Sequence, residues 1–252
     1  MEHIVLLGDS ILDNDTYVPP GQPGVCAQFE DALRGRKGWK VTKLAKDGAR
    51  MAHVLQVQLN HVPADATVLL LSIGGNDGLA AFKTLQTSFW STATAFYHTF
   101  QLQYEALVDH IRNSVNFPLV LCTVYQAQLG GRGYVVDTVA SLGVRFMNRA
   151  IRAVAAARKI PILDLWAIFS RREDYANQIE PGVPGGHKIV RNMLAMLDRN
   201  EHNDGCPWVY ADATYDPAFA ATIQDVSWFD SARFSRNGRA LARASATNVA
   251  NQ

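Results

Sequence analysis

The stretch Ile4-Val-Leu-Leu-Gly-Asp-Ser-Ile-Leu-Asp-Asn14 decides the fold of this chain. Its short apolar run, His3 to Leu7, reads as a buried strand ended by Gly8, and Ser10 falls in the turn that follows. A hydroxyl just past the carboxyl end of a buried strand lies where open α/β sheets collect their ligands. A second stretch, Val68-Leu-Leu-Leu-Ser-Ile-Gly-Gly-Asn-Asp77, repeats the design with an apolar strand, glycines, and then Asn76 and Asp77. Two parallel strands of this kind bring Ser10 and Asn76 to one sheet edge, a candidate nucleophile beside an amide donor.

Outward from these two stretches, strands and helices alternate. Residues 13–24 are rich in Asp, Asn, Pro and Gly and form a loop in which Tyr17 and Val18 either line a pocket or make a solvated connection. Val25 to Leu33 is expected as a helix, Trp39 to Ala45 as a strand, Met51 to His61 as a helix and Ala66 to Ile73 as a strand. Gly78 to Thr92 reads as a connection whose Phe82, Leu85, Phe89 and Trp90 serve either as an acyl-binding wall or as a short core helix. Beyond it follow a helix over Ala93 to Ser114, a strand over Phe117 to Val124 and a glycine-bearing loop over Tyr125 to Asp137, which holds Gly130 to Gly133. A helix over Thr138 to Lys159, a strand over Ile160 to Leu165 and a turn of helix at Trp166 to Phe169 complete the series. Strand–helix alternation at this spacing predicts a three-layer α/β/α sandwich with a mainly parallel five-stranded sheet.

Composition narrows the functional classes. The chain has 252 residues, 48% of them hydrophobic, enough for a sizeable core. A net charge of +1 offers no electrostatic case for nucleic acid or an anionic membrane surface. There is no apolar run of the roughly 18 residues that would mark a spanning helix. The first strand begins almost at Met1, leaving no room for a signal peptide, so a cytoplasmic location is expected unless a secreted form has been trimmed. Cys26, Cys122 and Cys206 are odd in number and widely spaced, and form neither a disulfide framework nor a zinc motif.

Taken together, Gly8-Asp9-Ser10, Asp47-Gly48-Ala49 and Gly74-Gly75-Asn76-Asp77 resemble the first three sequence blocks of the SGNH (GDS-type) hydrolases, a family of serine esterases and lipases. The resemblance covers roughly residues 3 to 199 and implies a flavodoxin-like fold. It implies Ser10 as nucleophile, with the Ser10 and Gly48 N–H groups and the Asn76 side chain stabilising an oxyanion. The family's last block, Asp-x-x-His, departs here. The matching stretch runs Asn177-Gln-Ile-Glu-Pro-Gly-Val-Pro-Gly-Gly-His-Lys-Ile-Val190, with Asn177 at the aspartate position and Glu180 at the histidine position. A glutamate near 4.3 is a weaker base than an imidazole near 6.5. Burial would raise it, so a Ser10–Glu180 dyad with Asn177 orienting it is one expectation and a weakened or lost hydrolase the other. His187 is an alternative base, although the family pattern turns that position away from the site. His53, His61, His98, His110 and His202 carry no such pattern. A second imitation of the block, Asp230 to Ala242, has Arg233 where the histidine would stand, and arginine cannot act as a base.

The expectations are therefore an SGNH-like domain over 1–199 and a C-terminal extension over 200–252. The function implied is hydrolysis of a small-molecule carboxylic ester through an acyl-serine, with no metal or organic cofactor. The alternatives are a non-catalytic binding protein that keeps the fold, and an acyltransferase. Oligomeric state is left open.

Overall fold

A computed structural model describes residues 2–82, 89–128, 134–198 and 209–210. Contacts divide the chain into two units, Met1–Thr214 and Tyr215–Gln252. The second unit lies outside the described residues, and with it the Asp230 to Ala242 stretch. Leu85, Gly130 to Gly133, His202, Cys206 and Trp208 lie outside them too, as do the side chains of Phe82, Phe89 and Trp90, so the acyl-wall expectation is not addressed.

The first unit is built on a sheet of parallel strands: β1 (Glu2–Gly8), β2 (Trp39–Lys43), β3 (Val68–Ser72), β4 (Leu119–Cys122) and β5 (Ile162–Leu163). These are the five expected strands, and a two-residue β6 (Val209–Tyr210) adds beside β5. The order is β2-β1-β3-β4-β5-β6. Because β1 connects outward to β2 while β3 lies on its other side, the strand order reverses between β1 and β3, which opens a crevice at their carboxyl ends. The pairing register sets Gly8 opposite Ser72, so the turns after the two strands begin at the same level.

Side chains alternate across the sheet. Ile4, Leu6, Val68, Leu70, Val120 and Cys122 join a buried cluster with Val25 and Phe29 of α1 (Val25–Leu33) and Ile189 and Met193 of α7 (Val183–Asp198). The intervening Val5, Leu7, Leu69, Leu71 and Leu121 are equally buried and point to the opposite layer. There α4 (Phe89–Ser114) packs on α5 (Tyr134–Arg158). Burying each large apolar side chain of this kind contributes about 1.5–3 kcal/mol. β2, at the sheet edge, is only partly buried, and accordingly it carries Lys40 and Lys43.

Three elements differ from expectation in their bounds. The helix from Met51 divides into α2 (Met51–Gln56) and a 3₁₀ turn (Gln58–His61), since Gln58 turns its amide inward to the end of β1. The described residues of the Gly78 to Thr92 connection are helical: α3 (Gly75–Phe82) starts directly after Gly74, whose φ of +120° turns the chain out of β3, and α4 begins at Phe89. α5 begins at Tyr134 rather than Thr138. The expected turn of helix after β5 is α6 (Leu165–Ile168). Among the described residues, no helix is long and apolar enough to cross a membrane.

Candidate active site

The nucleophile turn is held by contacts that depend on Gly8. This residue has φ +133°, and a Cβ there would lie 1.8 Å from the Ser72 carbonyl oxygen, so the position admits glycine alone. Both of its peptide groups are taken by Gln58: the Gly8 N–H donates to Oε1 and Nε2 donates to the Gly8 carbonyl, each at 2.8 Å. Next, the Asp9 N–H donates to Ser72 O at 3.1 Å, continuing the β1–β3 pairing. The chain then winds into one helical turn, with the Leu12 and Asp13 N–H groups donating to the Asp9 carbonyl at 3.1 Å and the Ile11 N–H to Asp9 Oδ1 at 3.2 Å. Ser10 sits on this turn, 7% exposed.

The second and third blocks converge on it. Gly48 lies at φ +76° in the loop between β2 and α2. Among the described residues, neither the Ser10 nor the Gly48 N–H is taken by a hydrogen bond. Asn76, in the first turn of α3, donates from Nδ2 to the Ala49 carbonyl at 3.0 Å, which orients its amide and leaves that nitrogen a second N–H to give. Asp77 accepts from the Met51 N–H at 3.3 Å and so ties α3 to the start of α2. Asp47 accepts from the Tyr17 hydroxyl at 2.9 Å, and its own N–H donates to Asp13 Oδ2, joining the Asp/Asn/Pro-rich loop to the Gly48 loop. Lys43 pairs with both Asp13 and Asp15 beneath that junction.

Glu180 reaches the same place from the loop before α7 and is 5% exposed. Burial pushes its carboxyl up to about 7, a hydrogen-bonding contact with the Ser10 hydroxyl pulls the other way, and the charge of Asp47 adds to the rise. Oε2 is buried with no partner among the described residues. Asn177 does not reach the carboxyl. It is exposed, and its Oδ1 accepts from the Ile179 N–H at 2.8 Å and the Glu180 N–H at 2.9 Å, so it shapes the backbone that carries Glu180. His187 is exposed on α7. Asp9, fully enclosed, is raised to about 8, chiefly by burial and further by the Glu180 and Asp77 charges, while the Ile11 N–H opposes this. Burial thus raises both carboxyls of the site well above the usual carboxylate range.

Several residues that build the site have no recognisable pattern in the sequence. Gln58 holds Gly8. Asn14, fully buried, donates from Nδ2 to Pro181 O at 3.0 Å and accepts from the Val25 N–H at 2.7 Å. Tyr125, stacked on Phe169 with centroids 4.3 Å apart, donates to Ile179 O at 2.7 Å. Lys188 donates to Asp174 at 2.8 Å and to Ile168 O at 3.1 Å, and Asp174 also accepts from the Ser170 and Arg171 N–H groups. Each is a single polar side chain whose partner lies outside any local motif, so the glycine-bearing turns and the Asn177–Val190 stretch were legible and these supports were not.

The arrangement can support proton transfer from a serine hydroxyl to a carboxylate beside unclaimed N–H donors. Among solved structures, similar folds include the lipase Lip_vut3 from a goat rumen metagenome, with TM-score 0.61 and 17% identity over 77% of this chain and 97% of that one. An extracellular lipase from Streptomyces rimosus gives TM-score 0.57 and 17% identity over 79% of this chain and 99% of that one. Phospholipase A1 from Streptomyces albidoflavus NA297 gives 0.55 and 18% over 76% and 98%. No curated protein matches the chain in sequence. These likenesses are of fold, and the sequence itself goes further: residues 6–183 match the GDSL-like Lipase/Acylhydrolase family, and the chain belongs to it.

Proposed function

We propose that the chain is a serine hydrolase that cleaves carboxylic esters with Glu180 as its base. The observation that carries this reading is the Ser10 hydroxyl against a buried carboxyl raised to about 7, with the Ser10 and Gly48 N–H groups left unclaimed nearby. In the ionised state Glu180 takes the Ser10 proton as Oγ attacks the ester carbonyl carbon. The carbonyl oxygen becomes an oxyanion, which the Ser10 and Gly48 N–H groups and the free Asn76 N–H stabilise. Collapse breaks the bond to the alcohol oxygen, Glu180 returns its proton to that oxygen, and an acyl-serine remains. Water then attacks the acyl carbon and gives a proton to Glu180, which passes it back to Oγ as the carboxylic acid leaves. A carboxylate can do this work because burial has brought its affinity for protons close to that of an imidazole.

Hydrolysis of a short-chain nitrophenyl ester by the parent, Ser10→Ala and Glu180→Gln tests the reading, together with labelling by a fluorophosphonate probe. Parent activity lost in both variants, with label confined to Ser10, is the expected result. A folded parent that neither turns over nor takes label between pH 6 and 9 overturns it and selects the binding-protein alternative, which the replacement of the usual histidine motivates. Turnover that needs an alcohol acceptor in place of water selects acyl transfer.

A further inference from the structure

We propose that Asn14 is a positioning residue that locks the base loop to the nucleophile turn, fixing Glu180 against Ser10 through the carbonyl of Pro181. This rests on the Ser10–Glu180 reading above and extends it to a residue outside the reacting groups.

Asn14 lies four positions after Ser10, and the turn between them is rigidly wound, since the Asp9 carbonyl accepts two N–H groups within it. A displacement of Asn14 is therefore a displacement of Ser10. The Asn14 amide is fully buried, and each end meets a different segment. Oδ1 takes the Val25 N–H, one of the orphan donors at the start of α1, where the capping residue Gly24 supplies no side chain. Nδ2 donates to Pro181 O, across 167 positions of sequence. Pro181 directly follows Glu180, so the held carbonyl is one peptide from the base. The close approach is built in: a Cβ on Gly24 would lie 2.9 Å from Asn14 Oδ1 and 2.1 Å from Asp15 Oδ1.

The other bonds to this loop divide the work. Tyr125 holds Ile179 O, Asn177 holds the Glu180 N–H, and the Ala176 N–H donates to Glu180 O at 2.9 Å. These fix the loop's own shape and tie it to the segment after β4. Asn14 ties it to the segment that carries the nucleophile. Gln28 makes a parallel tie one step further on, donating from Nε2 to Val183 O at 3.2 Å and Pro23 O at 2.9 Å, but this anchors α7 to α1 without touching the Ser10 turn. An amide suits Asn14 because the two partners differ in kind, a donor on one side and an acceptor on the other; a buried carboxylate would leave the Pro181 carbonyl unpaired and an alkyl group would leave both.

The test uses the full chain with Asn14→Thr and the milder Asn14→Ser, both uncharged, both of which keep an oxygen for Val25 and remove the amide that reaches Pro181. Gln28→Met is the comparison. Two quantities are read on folded protein: the titration midpoint of the Glu180 carboxyl by carbon NMR, assigned by its disappearance in Glu180→Gln, and the rate of fluorophosphonate labelling at Ser10. In both Asn14 variants the Glu180 midpoint should move from the parent value, because both the burial of the carboxyl and its Ser10 contact depend on where the loop is held. Labelling should slow by about 10²-fold, as expected for a misplacement on the ångström scale. Gln28→Met should lower Tm and leave both readings in place. An unchanged midpoint in the Asn14 variants overturns the assignment, as does labelling at the parent rate or an equal shift in Gln28→Met. If the parent itself takes no label, the hydrolase reading fails, while the NMR midpoint still decides whether Asn14 holds Glu180 to Ser10.

Discussion

Replacing an imidazole by a carboxyl moves the chemistry of a site onto the environment of one residue. On the proposed reading Glu180 takes up a proton only when ionised, and its carboxyl is raised to about 7 by burial, so ester hydrolysis should climb from pH 6 to 8 with a midpoint near 7. Glu180→Gln should abolish that limb together with the activity in a stopped-assay pH series. Asn76→Ala removes one oriented donor while leaving the base untouched, and should lower kcat by about 10²–10³. Its KM for a small ester should change little, which steady-state kinetics will show. Asp9 gives a stability prediction with a definite sign. The folded chain holds the Asp9 proton up to about 8, whereas the unfolded chain releases it near 3.8. The folded state therefore binds more protons across that window, and stability present below it is lost as pH rises through it. Asp9→Asn retains an oxygen for the Ile11 N–H and has no proton to lose, so its Tm advantage over the parent should widen from pH 5 to pH 9 in thermal denaturation.

At the scale of elements, the site depends on how closely β1 and β3 approach and how firmly the loop before α7 is anchored. Gly8 combines a left-handed backbone with a Cβ position already occupied by Ser72 O. Gly8→Ala should cost at least about 1–3 kcal/mol in chemical denaturation from backbone strain alone, and more if the strands must part. Asp174 is buried, and Lys188 is the cation that meets it. Lys188→Met leaves that carboxylate uncompensated and should destabilise by about 3–5 kcal/mol, measured by denaturant unfolding. The exposed Arg34–Asp31 pair on α1 is a useful contrast, since surface pairs of this type contribute about 0–1 kcal/mol.

For the whole molecule, every described strand and every residue of the described core lies within Met1–Thr214. A chain ending at Thr214 should therefore unfold cooperatively and still take a fluorophosphonate label at Ser10; loss of both would show that residues 215–252 are needed for the fold. Much of this architecture was legible beforehand. Strands buried on both faces are continuous apolar runs, so β1, β3 and β4 declare themselves. The glycine-bearing turns after β1 and β3 are local motifs, and their parallel pairing follows from the helices between them. Helix starts were less legible where a backbone turn rather than a capping side chain sets them, as at Gly74 before α3. By itself the sequence determined the layered sheet, the family, and the presence of Ser10, Gly48, Asn76 and Glu180 in the right order, because all of these are carried by neighbours within a few residues. Only the tertiary structure decided that Glu180 is buried, that Asn177 accepts from the Ile179 and Glu180 N–H groups, and that His187 is exposed. The proton affinity of a carboxyl and the aim of a loop are set by what surrounds them in space, and here those surroundings, Asn14, Asp47, Tyr125 and Lys188 among them, come from widely separated parts of the chain.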